Sequence, residues 1–81
     1  MKKSLAALTI DKIQAEYDAI YAMATGGAET AQNVLNACMR FRGMVELAQS
    51  VELLTAPQAN ACYYEIFLLE DKARLTSAVS L

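Results

Sequence analysis

Apolar side chains recur at alternating spacings of three and four along most of the chain, and three separate runs carry the pattern. The most informative run is ANACYYEIFLLEDKARL, from Ala59 to Leu75, because it carries two stripes instead of one. On a helix turning 100° per residue, Ala59, Cys62, Ile66, Leu69 and Ala73 form the first stripe. Ala61, Tyr64, Leu68 and Leu75 form the second, roughly 150° around the helix from the first. A helix that is apolar on two sides either lies at the centre of its fold or is shared with another chain. For a chain of 81 residues a second chain is the expected answer.

The earlier runs are simpler. Ile10, Ile13, Tyr17, Ile20 and Ala24 share one face, with Asp11, Gln14 and Asp18 outside it, and predict a helix over about residues 9–25. Thr9 is the expected N-cap, Leu8 is placed to pack on Ile13, and Gly26 and Gly27 end the run. So short a connection should fold the second helix back antiparallel over about residues 28–52, with Ala31, Val34, Leu35, Cys38, Phe41 and Val45 inward. After Gly43 the apolar direction moves by roughly 90°, to Met44, Leu47, Ala48 and Val51. That shift predicts a bend or break near Gly43, or a second half that meets a different neighbour.

Thr55, Ala56, Pro57 and Gln58 spell a capping box with proline in the first turn, and start a third helix over about residues 56–76. Glu70 and Arg74, four apart, are expected to pair along it. The ends, residues 1–8 and 77–81, are expected to be flexible. With no strand alternation and no hairpin signal, the reading is a single all-α domain over residues 1–81. Two to three long antiparallel helices should assemble into a homodimer or homotetramer. Adjacent helical residues point 100° apart, so Tyr63 and Tyr64 cannot both face one core. Tyr64, Leu68 and Leu75 are therefore the candidate self-association residues.

Composition sharpens this picture. Hydrophobic residues make up 56% of the chain and charged ones 20%, whereas a domain of this size buries only about 60% of its unfolded surface. The surplus apolar surface needs a partner. Cys38 and Cys62 lie in helix-patterned runs and read as small core residues, not as a disulfide scaffold. The net charge is −2 with lysines and arginines scattered, which argues against direct nucleic-acid binding. The opening MKKSLAALTI starts as a secretory signal does, but Asp11, Lys12, Glu16 and Asp18 interrupt any apolar core. No run approaches the roughly 18 uncharged residues of a membrane span. A soluble, cytoplasmic protein is expected.

Candidate chemistry is sparse. The chain has no histidine, which removes the commonest general base and the commonest metal ligand together. Two distant cysteines do not make a closed zinc site. Gly26 and Gly27 lack the surroundings of a phosphate loop, and Glu65, Glu70 and Asp71 read as a solvated edge between the two apolar stripes. We expect no catalytic residue, no metal and no cofactor, and hence no enzyme. Arg40 and Arg42 flank Phe41, and with Met44 and Leu47 they form the candidate partner-binding surface, since arginine beside aromatic and apolar groups is frequent at binding hot spots.

In size, acidity, helicity and lack of catalytic groups the chain resembles the small helical proteins of temperate phages and prophages that act by binding another protein, antirepressors among them. The resemblance is one of general character and assigns no residues. It implies a stoichiometric regulator that binds and antagonises another protein, such as a transcriptional repressor. The alternatives are a small-ligand binder or minor helical enzyme with its site between subunits, and an inhibitor of a host defence protein.

Overall fold

The computed structural model describes residues 3–27 and 29–79, with the side chains of residues 76–79 left aside. It consists of three α-helices, α1 (Leu5–Gly26), α2 (Ala31–Ser50) and α3 (Ala56–Val79), and no strand among the described residues. Consecutive helices run antiparallel. Tyr17 of α1 meets Phe41 of α2 edge to face, with ring centroids 6.2 Å apart, while the later Ile20 shares a pocket with the earlier Ala37. Arg42 of α2 reaches Glu70 of α3, whereas the loop residue Leu54 lines a pocket with Gln58 at the start of α3.

The core is the sum of three helix stripes. Ile13 and Ile20 come from α1, Val34, Ala37, Cys38, Phe41, Val45 and Ala48 from α2, and Ala59, Ile66, Leu69 and Ala73 from α3. These follow most of the periodicity in the sequence, with the first of the two α3 stripes turned inward; Ile10, expected on the inward face of α1, is exposed instead, and Leu54 of the loop before α3 joins the core. α2 packs most closely on α3, and α1 meets α3 only sparsely. The assembly is elongated and thin, 49 × 24 × 15 Å with a radius of gyration of 13.8 Å. A compact 81-residue chain would have a radius of gyration of about 12 Å.

The helix ends show which local signals acted. Thr55 and Gln58 close the capping box reciprocally: the Thr55 backbone N–H donates to Gln58 Oε1 at 2.9 Å, and the Gln58 N–H donates to Thr55 Oγ1 at 3.2 Å. The start of α1 differs from expectation. Ser4, not Thr9, is the N-cap, accepting from the Ala7 N–H at 3.1 Å. Thr9 lies inside the helix with its hydroxyl donating to the Leu5 carbonyl at 2.7 Å, and Leu8 is exposed. Threonine satisfied by the preceding turn is compatible with helix interior, so the helix extends back to the earlier cap. Residues 5–8 and 77–79, expected as flexible ends, are helical. The expectation for Met1, Lys2, Ser80 and Leu81 lies outside the described residues, as does Ala28, the expected start of α2. That helix begins at Ala31, capped by the Thr30 hydroxyl.

The break expected near Gly43 does not occur, since α2 runs unbroken from Ala31 to Ser50. Val45 and Ala48 continue the core stripe of Val34, Cys38 and Phe41, while Leu47 and Val51 are exposed. The apparent change of phase came from outward apolar residues superposed on an uninterrupted inward stripe.

α2 ends in a Schellman arrangement, in which the Leu53 N–H reaches the Ala48 carbonyl at 2.8 Å and the Glu52 N–H reaches the Gln49 carbonyl at 3.0 Å. Glu52 occupies the left-handed position, with φ 63°. At the end of α1 the corresponding place is filled by Gly27, φ 74°. An L side chain in this conformation costs free energy that glycine avoids. Glu52→Gly is therefore expected to stabilise the protein by about 0.5–1 kcal/mol, read as a higher midpoint in urea with an unchanged slope. A lower midpoint would mean that the Glu52 side chain makes a compensating interaction.

Candidate functional site

α3 carries its two stripes on opposite sides. Ile66 is fully buried, whereas the second stripe is open to solvent, with Tyr64 62%, Leu68 45% and Leu75 60% exposed and Phe67 exposed beside them. The three residues expected at a self-association seam therefore lie together on the face directed away from the core. Tyr63, the neighbour of Tyr64, is half-buried against the core.

α2 also has an outward apolar face. Met39 is 66% and Leu47 65% exposed, with Val51 open beyond them. Gly43 lies between Met39 and Leu47 by helical position, and a Cβ placed on it would meet nothing within 4 Å. Among the described residues no neighbour requires glycine there, although it costs about 1 kcal/mol relative to alanine in a helix interior.

The four candidate partner-binding residues divide. Arg40, Met44 and Leu47 follow one another at four and three and share a side of α2. Arg40 and Met44 border a pocket of about 310 Å³ against α1, beside Ile20 and Met23. Arg42, two residues from Arg40, points to the opposite side, toward α3.

There Arg42 makes the main charged contact of the fold. Its Nε donates to Glu70 Oε2 at 3.1 Å and its Nη2 donates to Glu70 Oε1. The guanidinium carbon stands 5.9 Å from the centroid of the Tyr63 ring, within cation–π range. Hydrogen bonding to Glu70 holds the guanidinium protonated even more firmly than usual. Glu70 is only 6% exposed, which corrects two sequence expectations: it is not on a solvated edge, and it pairs with Arg42, not Arg74. Both side chains stand at the flank of a core stripe, roughly 40° from Cys38 on α2 and from Ile66 on α3. That shared flank position is the signal by which the pair could have been found.

Between α1 and α3 a groove of about 340 Å³ is lined by Ile13, Tyr17, Phe41, Ala61, Cys62 and Glu65, together with Gln14. The Tyr17 hydroxyl donates to Glu65 Oε2 at 3.4 Å, and burial, with Glu65 nearby, raises the tyrosine pKa. Burial pushes the Cys38 thiol up to about 11, helped by the Glu70 charge, and burial also raises Cys62. Both sulfurs are free thiols held away from the thiolate form that nucleophilic chemistry requires. Among the described residues, no group of three or more Cys, Asp or Glu side chains is placed to hold a metal ion, and no helix is long and apolar enough to cross a membrane.

Compared with known proteins, the chain matches no family model, no curated protein and no solved structure.

Proposed function

We propose that the protein acts by stoichiometric binding to another protein, through helix faces and without covalent chemistry. The observation that carries this reading is the outward face of α2, where Met39, Leu47 and Val51 are exposed around a glycine that the fold itself does not need. Contiguous exposed apolar side chains on a small protein mark association surfaces, and a glycine among them lets a partner approach closely. Arg40, exposed on the same side, supplies a charge at the rim, where it favours orientation and encounter. The remaining polar groups support the same reading, because Arg42 and Glu70 satisfy each other and both thiols are held protonated.

Capture from a lysate of the native host, with bound proteins identified by mass spectrometry, is expected to recover one specific partner. Leu47→Glu should abolish that capture while leaving the helical circular-dichroism spectrum unchanged, since Leu47 is 65% exposed and outside the core cluster. Capture unaffected by the substitution would remove α2 from the binding surface. Arg40→Glu should weaken capture more modestly, whereas Arg42 is committed to the fold.

Within this class, the antirepressor case proposes a transcriptional repressor as partner. The protein should then dissociate its cognate repressor from operator DNA without adding a slower band in a mobility-shift assay. Binding of the protein alone to the operator, with a steep salt dependence, would instead require phosphate contacts and overturn the reading.

A further inference from the structure

We propose that the outward stripe of α3 docks on the same stripe of a second copy of the chain, as an antiparallel two-fold pair. This pairing does not depend on the foreign partner proposed for α2. Pro57, Ala61, Tyr64, Leu68, Asp71 and Leu75 follow one another at four and three, the spacing of a helix–helix seam. The helix is 24 residues long, about 36 Å, so the seam spans several turns. The core side chains Ala59, Ile66, Leu69 and Ala73 lie opposite, and a second chain reaches the stripe without disturbing the fold.

The exposed area matches what such a pair needs. The chain exposes 5617 Å², whereas a compact monomer of its mass would expose about 4,800 Å². The surplus, roughly 800 Å² over the whole elongated chain with the outward face of α2 included, is about the share one partner contributes to a standard protein–protein interface. Tyr64 and Phe67 supply large rings of the kind that anchor interface cores, and the neighbouring leucines complete an apolar strip.

Asp71 decides the direction. Parallel helices in register would set Asp71 against its own copy within the seam, two like charges in a desolvated contact. An antiparallel pair centred at the level of Ile66 sets Asp71 opposite Ala61 of the second copy, whose small side chain leaves the carboxylate a route to water. The same register places Tyr64 on Leu68 and brings the two Phe67 rings side by side. A two-fold pair closes on itself, because each chain offers the same patch.

Sedimentation equilibrium of the full chain should give twice the 8.8 kDa chain mass at micromolar concentration. Leu68→Glu should raise the dimer dissociation constant ~100-fold or more, because it places a charge in the seam. Its circular-dichroism spectrum should be unchanged, because the side chain faces away from the core. For the direction, Phe67→Cys in a Cys62→Ala background should join two chains through a short bismaleimide linker. Leu75→Cys in that background should not, since its two copies would lie roughly 27 Å apart along the seam. A monomeric wild-type chain, or a Leu68→Glu dimer of unchanged affinity, overturns the pairing. Cross-linking at Leu75 but not at Phe67 overturns the antiparallel direction. A monomer that still captures a partner through α2 would sink this inference and leave the proposed function standing.

Discussion

Arg42→Met should destabilise the fold by about 2–4 kcal/mol, more than any other change to a charged side chain. The reason lies in the partner it abandons. The Glu70 carboxylate is buried and receives hydrogen bonds on both oxygens from the Arg42 guanidinium. Removing one member of a buried pair leaves an uncompensated charge and costs about 3–5 kcal/mol. The Arg42 side chain is 37% exposed, so solvent screens part of that loss and lowers the expectation to about 2–4 kcal/mol. Loss of the guanidinium from the Tyr63 ring adds a smaller contribution.

The reverse change is expected to be milder. In Glu70→Leu the guanidinium can turn to solvent and the leucine joins the core, so the cost should be about 1 kcal/mol or less. The double variant Arg42→Met/Glu70→Leu should then be more stable than Arg42→Met alone. Urea unfolding at one fixed protein concentration measures the cycle, and a loss of 2–4 kcal/mol corresponds to a fall in Tm of about 12–24 °C for a domain of this size. Strict additivity of the two single changes would show that the pair contributes no coupling energy.

This contact also shows where sequence reasoning stops. Glu70 sits between core positions of α3, and an acidic side chain at a stripe edge is most simply read as solvated. What buries it is a guanidinium on another helix, and helix-to-helix neighbours are not encoded in the period of either helix alone. The Thr55–Gln58 cap was legible for the opposite reason, since both members lie in one turn and their chemistry fixes their spacing. Ser4 was obscured because Thr9 offered an equally good oxygen one turn later, and only the continued helix upstream chose between them. Gly43 misled through superposition: Leu47 and Val51 on the outside look, in one dimension, like a rotated inside. The three helices and most inward residues were readable because burial repeats along each helix, although Ile10, on the inward period of α1, is 41% exposed; the proposed use of the outward residues depends on contacts between chains, which the period of one helix does not encode.

Ile66→Ala is expected to cost about 3–4 kcal/mol, whereas Leu68→Ala, two residues away, should leave the stability of the isolated chain within about 0.5 kcal/mol. The two side chains lie on opposite sides of α3, with Ile66 fully buried and Leu68 45% exposed. Truncating a buried isoleucine removes its transfer free energy and leaves a cavity, together worth about 2–5 kcal/mol. The middle of that range is expected for a side chain that is fully buried before truncation. Leu68 stands outside the core cluster, and alanine is if anything the better helix former. Its effect should appear instead in the concentration dependence of unfolding, because a residue that contributes only to pairing stabilises the native state by mass action and not within one chain. The two variants therefore separate the stripes experimentally. Ile66→Ala should lower the urea midpoint equally at every protein concentration, and Leu68→Ala only at concentrations where the wild-type chain is paired. A midpoint lowered equally at all concentrations by both substitutions would mean that Leu68 belongs to the core.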